Sequence, residues 1–66
     1  MNLADRKLAF IKEHLEAGRT VYVQTHLRTW KLSKKHADMV KVSGSSLYMQ
    51  NGKSWDCIDY CKLSAN

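Results

Sequence analysis

Ala4, Leu8, Ile11 and Leu15 recur at the three- and four-residue spacing of one helical face, and Leu3 and Phe10 widen that stripe. Arg6, Lys7, Glu13 and Glu16 fall largely off it. Asn2 stands where an N-cap belongs, Asp5 loosely completes a capping box, and Gly18 suits the left-handed residue that ends a helix. The pattern predicts an amphipathic helix within residues 1–18. A helix of about fifteen residues is marginal alone, so it must lie on another element.

After Gly18 the period changes to two. RTVYVQTHLRTWKL is rich in β-branched and aromatic residues and alternates. Read as one strand, it turns Val21, Val23 and Leu27 one way, and Tyr22, Gln24, His26, Arg28 and Trp30 the other. SKKHAD follows as a polar, basic connection. MVKVS reads as a short strand, SGS as a turn and LYMQ as a third strand. Asn51-Gly52 is a strong hairpin signal, because a type I′ turn needs positive φ at both central residues. KSWDCIDYCKL begins as a fourth strand, and its residues 56–63 are open between strand and helix.

These turns set a register. With Gly44 and Ser45 as one loop, Val42 faces Leu47, Val40 faces Met49 and Lys41 faces Tyr48. With Asn51 and Gly52 as the next, Gln50 faces Lys53 and Tyr48 faces Trp55. One face then collects Val40, Val42, Leu47 and Met49, a surface the helix can cover. The other collects Lys41, Tyr48, Trp55 and Cys57. Ser54 and Asp56 fall on the aliphatic face, which requires an edge or a bend there. The expected fold is α+β: one N-terminal helix followed by a twisted antiparallel sheet of three or four strands across residues 19–63. An SH3-like or half-open barrel is one form of it.

The chain has 66 residues, 44% of them apolar, with no proline, no linker composition and no repeat. That describes one domain, residues 1–66, near the lower size limit for folding alone. The N-terminal stretch lacks the apolar core of a signal peptide, and no apolar run reaches membrane-spanning length. The expectation is a cytoplasmic protein with no membrane association. Two cysteines suit free thiols there better than a disulfide framework. A net charge of +5 favours acidic partners: nucleic acid, or an acidic or nucleic-acid-handling protein.

Tyr22, His26, Arg28 and Trp30, with Lys41, Tyr48 and Trp55, form the most suggestive set. Lys31, Lys34, Lys35 and His36 adjoin it. Rings that stack on bases and cations that track phosphates are what nucleic-acid binders use. The competing reading makes the rings the core of a curled sheet, since so short a chain can hardly spare them to solvent. Cys57 and Cys61 lack the second ligand pair of a structural zinc site, so no metal is expected and both read as free, partly buried thiols. On a single strand they would lie too far apart for a disulfide. Asp56 and Asp59 are expected to pair with lysines. No nucleophile motif, phosphate loop or metal-hydrolase motif is present, so neither an enzyme nor a cofactor is expected. Arg6, Lys7, Lys12 and Arg19 on the helix read as a solvated face before a phosphate contact.

The segments GRTVYVQTHLRTWKL and LYMQNGKSWDCIDYCKL, through Tyr22, Trp30, Tyr48, Gly52, Trp55 and Cys57, resemble small accessory proteins of enteric phages and prophages. The resemblance brings no assigned activity and no functional residue. It implies a protein made in the bacterial cytoplasm that acts by binding: coating or bending nucleic acid, regulating transcription, or blocking a host enzyme or defence complex. The first functional expectation is therefore a nucleic-acid-binding module. Its footprint is the SKKH loop, Arg28 and Lys41, with Trp30, Tyr48 and Trp55. The alternative is an inhibitor or adaptor that docks on a host nucleic-acid-processing or defence complex. A homodimer through the aromatic face is also open, because one helix covers only one side of the sheet. Exposure of Trp30 and Trp55 separates a stacking or hot-spot surface from a bare basic loop.

Overall fold

The chain is described across residues 2–66 by a computed structural model. Helix α1 (Leu3–Glu16) is followed by β1 (Val21–Gln24), β2 (Thr29–Leu32), a 3-10 helix (Lys34–Met39), β3 (Val40–Ser43), β4 (Ser46–Asn51), β5 (Ser54–Cys57) and β6 (Lys62–Ala65). The class is α+β. The strands form two antiparallel sheets, ordered β2-β1-β6 and β3-β4-β5. No ladder joins the sheets among the described residues, so the fold is not a closed barrel.

The ends of α1 follow from its sequence. The Asn2 side chain accepts from the Asp5 N–H at 2.9 Å. At the other end Gly18 takes φ +82°. Its N–H donates to the Leu15 carbonyl at 3.0 Å, and the Arg19 N–H donates to the His14 carbonyl at 3.0 Å. That pair of bonds is a Schellman motif. Ala4, Ile11 and Leu15 are buried, whereas Leu3 is 64% exposed and stands outside the stripe.

The expected long first strand is two strands. Thr25 and Arg28 close a turn between them: the Thr25 N–H donates to the Arg28 carbonyl at 2.9 Å. The Thr25 hydroxyl accepts from the Leu27 and Arg28 N–H groups, each at 3.2 Å. A threonine hydroxyl here replaces the glycine that usually marks a turn. The reversal pairs Val23 with Trp30. Trp30 therefore shares the inward face with Val21 and Val23 rather than the outward face with Tyr22. Leu27, expected beside the valines, is at the turn and 81% exposed.

The β3–β4 register is the one expected: Val40 opposite Met49, Lys41 opposite Tyr48, Val42 opposite Leu47. The β4–β5 loop differs. Asn51 pairs with Ser54, leaving Gly52 and Lys53 as the loop, so Tyr48 faces Cys57 and Gln50 faces Trp55. Gly52 has φ +63°, and among the described residues no non-glycine residue has positive φ. This is a II′-like turn with glycine first, not I′. The slip is two residues, so each side chain keeps its expected face. Asp56 lies opposite Met49 on edge strand β5, where the Asn51 amide donates to its carboxylate at 3.0 Å. The polar connection is itself a 3-10 helix, in which the His36 Nδ1 accepts from the Ser33 N–H at 3.0 Å. Residues 56–63 are neither one strand nor a helix: β5 ends at Cys57, a turn follows, and β6 starts at Lys62.

One cluster fills the space between α1 and the inward faces of both sheets. It contains Ile11 and Leu15, Val21, Val23 and Leu32, Val40, Leu47 and Met49, with Ala4, Ile58 and Cys61. Burying an aliphatic side chain of this size stabilises by about 1.5–3 kcal/mol relative to leaving it in water. No tryptophan or tyrosine belongs to this buried set, and Trp30 only packs against its margin. The aromatics are not the core of a barrel.

Candidate binding groove

A groove of about 660 Å³ opens between the β1–β2 turn and strand β5, where no ladder closes the sheets. Trp30 and Trp55 line it, with Ile58, which is 3% exposed, between the groove and the core. Both tryptophans are half-buried. Leu27 and Tyr60 border it at 81% and 95% exposure.

Each tryptophan has a cation against its ring. The Arg28 guanidinium carbon lies 5.5 Å from the Trp30 centroid. The Lys41 ammonium lies 4.2 Å from the Trp55 centroid, reaching from β3 across β4 to β5. Cation–π contacts at exposed sites are worth about 0.5–1 kcal/mol each. That is below the roughly 2 kcal/mol of rotamer entropy such side chains carry, so the contacts are readily exchanged.

The turn after β5 is held from several sides. The Lys7 ammonium donates to the Asp59 carbonyl at 2.6 Å and to the Cys61 carbonyl at 3.2 Å. The Asp59 carboxylate accepts from the Leu47 N–H at 2.7 Å. This bond holds the Asp59 pKa below its ordinary value, against desolvation, which pushes it up. Asp56 and Asp59 thus bind an amide side chain and a backbone N–H, not the expected lysine partners. Cys57 is exposed in the groove lining and Cys61 is buried, where desolvation pushes its thiol up. They stand on either side of the turn rather than on one strand.

Among the residues singled out from sequence, the fold brings His26, Arg28, Trp30 and Trp55 onto one lining, while Lys41 lies against the Trp55 ring outside that lining. Tyr48 pairs with Lys41 on the sheet but is not in the groove lining. Lys31 pairs with Tyr22 on the face opposite Trp30. Lys34 and Lys35 are exposed on the 3-10 helix, and His36 caps that helix. Leu27 and Tyr60 are exposed residues of the groove lining that sequence reasoning did not assign to a site. Both lie on turns with no glycine, proline or asparagine to mark them. Among the described residues, no group of three or more His, Cys, Asp or Glu side chains is placed to hold a metal ion, and no helix is long and apolar enough to cross a membrane. No family model, curated protein or solved structure matches the chain.

Proposed function

We propose that this chain is a non-enzymatic nucleic-acid-binding protein of the phage accessory type, with the tryptophan groove as its contact. The observation that carries this reading is the meeting of Trp30 and Trp55, from different sheets, on one open groove with a cation at each ring. Base–aromatic stacking is worth about 1–3 kcal/mol per base, and neighbouring cations take the phosphates. On this reading Arg28 and Lys41, which rest on the rings, pass to phosphate when bases take the ring faces. The net charge of +5 supports the approach of an anionic strand.

The exposure of Leu27 favours a second reading, a docking surface for an acidic host protein, since an aliphatic side chain adds nothing to phosphate binding. Titration with short single- and double-stranded DNA and RNA, followed by tryptophan fluorescence and anisotropy, separates the two. Nucleic-acid binding quenches tryptophan and weakens with salt. For about three neutralised phosphates, affinity falls roughly twentyfold between about 50 and 200 mM salt. No binding at the lower salt would remove this reading in favour of the protein partner.

A further inference from the structure

Tyr60 is 95% exposed, yet the backbone beneath it is fixed. Lys7 holds the carbonyls on both sides of it, those of Asp59 and Cys61. The Asp59 carboxylate holds the Leu47 N–H, the Ile58 N–H donates to the Leu47 carbonyl at 2.8 Å, and the Cys61 N–H donates to the Ile58 carbonyl at 3.1 Å. Ile58 and Cys61 are rooted in the core at 3% and 6% exposure. The result is a raised, tethered turn with a bare aromatic ring at its tip. Among the described residues, no ring or cation stacks on Tyr60, in contrast to Trp30 and Trp55. A ring this exposed gains nothing from folding, so its fixed support calls for another explanation.

We infer that Tyr60 is a third stacking platform of the groove and that the groove's ligand is an unpaired strand of nucleic acid. The inference rests on the function proposed above and narrows it. Tyr60 borders the main groove and two smaller hollows, one beside Lys7 and one beside His26 and Lys62. Arg28 and Lys62 line these hollows, Lys41 lies on the Trp55 ring, and the Lys7 ammonium is tied to the carbonyls beneath Tyr60. The two carboxylates nearby, on Asp56 and Asp59, accept from neutral donors and stay negative, so the cations of the region outnumber rather than escape them. The charge complements a phosphate backbone that passes the rings. A duplex covers the faces of its bases with neighbouring pairs and offers these rings only grooves and phosphates. A single strand offers free base faces, which three rings set around one concavity can take in succession.

The test uses the full chain with fluorescein-labelled oligo-dT and oligo-U of about eight nucleotides and a blunt duplex of similar length, at about 50 mM salt. Tyr60→Ala is compared with Tyr60→Phe, and circular dichroism and thermal midpoints check that both fold as the parent does. From about 1–3 kcal/mol per stacked base, Tyr60→Ala weakens single-strand binding roughly five- to 150-fold. Tyr60→Phe keeps the ring and stays within about twofold of the parent, and the parent binds the duplex at least about tenfold more weakly than the single strand. If Tyr60→Ala binds oligo-dT and oligo-U as the parent does, the role of Tyr60 is overturned while the groove reading stands. Equal or tighter binding of the duplex overturns the unpaired ligand. A parent chain that binds no oligonucleotide removes the proposed function and this inference together, and the exposed ring then belongs to a protein interface.

Discussion

The two cysteines show how far a residue's behaviour depends on where the chain turns. Four positions apart in sequence, they read alike as partly buried thiols. The turn between them leaves Cys57 exposed in the groove lining and sinks Cys61 into the core, where desolvation outweighs the pull of Lys7 and raises its pKa. A thiolate is the reactive form, so burial and a raised pKa act in the same direction. A maleimide added to the native protein should therefore modify Cys57 quickly and leave Cys61 untouched until denaturant is added. Mass spectrometry after a short pulse reads both events. Equal labelling of the two would mean that the turn opens readily. The Cys57 adduct also occupies the groove, so under the proposed function labelled protein should bind oligonucleotide more weakly, a check on the groove that alters neither tryptophan.

At the scale of elements, what was legible was whatever the chain punctuates locally. Asn2 and Gly18 mark α1, and Gly44 fixes the β3–β4 register. Gly52 marks a turn whose loop is one residue later than the Asn51-Gly52 signal suggests, and the two-residue register shift preserved the faces. Two turns were hidden because distant or unusual partners make them. Thr25 closes the first with its hydroxyl. Lys7, 52 residues away from Asp59 in sequence, and the Leu47 N–H hold the second. Missing the first placed Trp30 on the wrong face. Missing the second hid Tyr60. The second turn also carries a pH dependence. Asp59 has its folded pKa lowered below the ordinary 3.8, mainly by the Leu47 N–H. Its contribution is therefore fully present above the unfolded value and disappears as pH falls through the folded one. Urea midpoints should hold steady from about pH 7 to pH 5 and decline in the acid range, and Asp59→Asn should flatten part of that decline. An unchanged acid limb in Asp59→Asn would assign the decline to other carboxylates. Lys7→Met keeps the aliphatic stem and removes both bonds to the turn. It should cost about 1.5–3 kcal/mol, as for hydrogen bonds to a charged group, read from the same urea curves.

For the whole molecule the question is what keeps two small sheets together when no ladder joins them. The helix and the aliphatic cluster are the answer: α1 contacts β1, β3, β4, β6 and the 3-10 helix, and Ile11, fully buried, sits in the shared core. The same arrangement leaves the seam beside β5 unfilled, and the groove is that seam. Stability and the shape of the groove are thus linked, since a groove between two sheets keeps its form only while the helix holds both. Ile11→Ala tests this cleanly because alanine is the better helix former, so any loss reports packing rather than helix propensity. Removing a buried isoleucine to alanine costs about 2–5 kcal/mol, against a total of only about 3–5 kcal/mol for a domain of this size. Urea denaturation followed by tryptophan fluorescence and by far-ultraviolet circular dichroism should show Ile11→Ala largely or wholly unfolded in buffer, with the two signals coincident. Leu27→Ala, at an 81% exposed position, should leave the midpoint unchanged. If Ile11→Ala instead loses helical signal first while tryptophan keeps its native spectrum, the sheets hold each other without the helix. The groove would then be an independent feature of the strands, and its affinity should survive truncation of the Ile11 side chain.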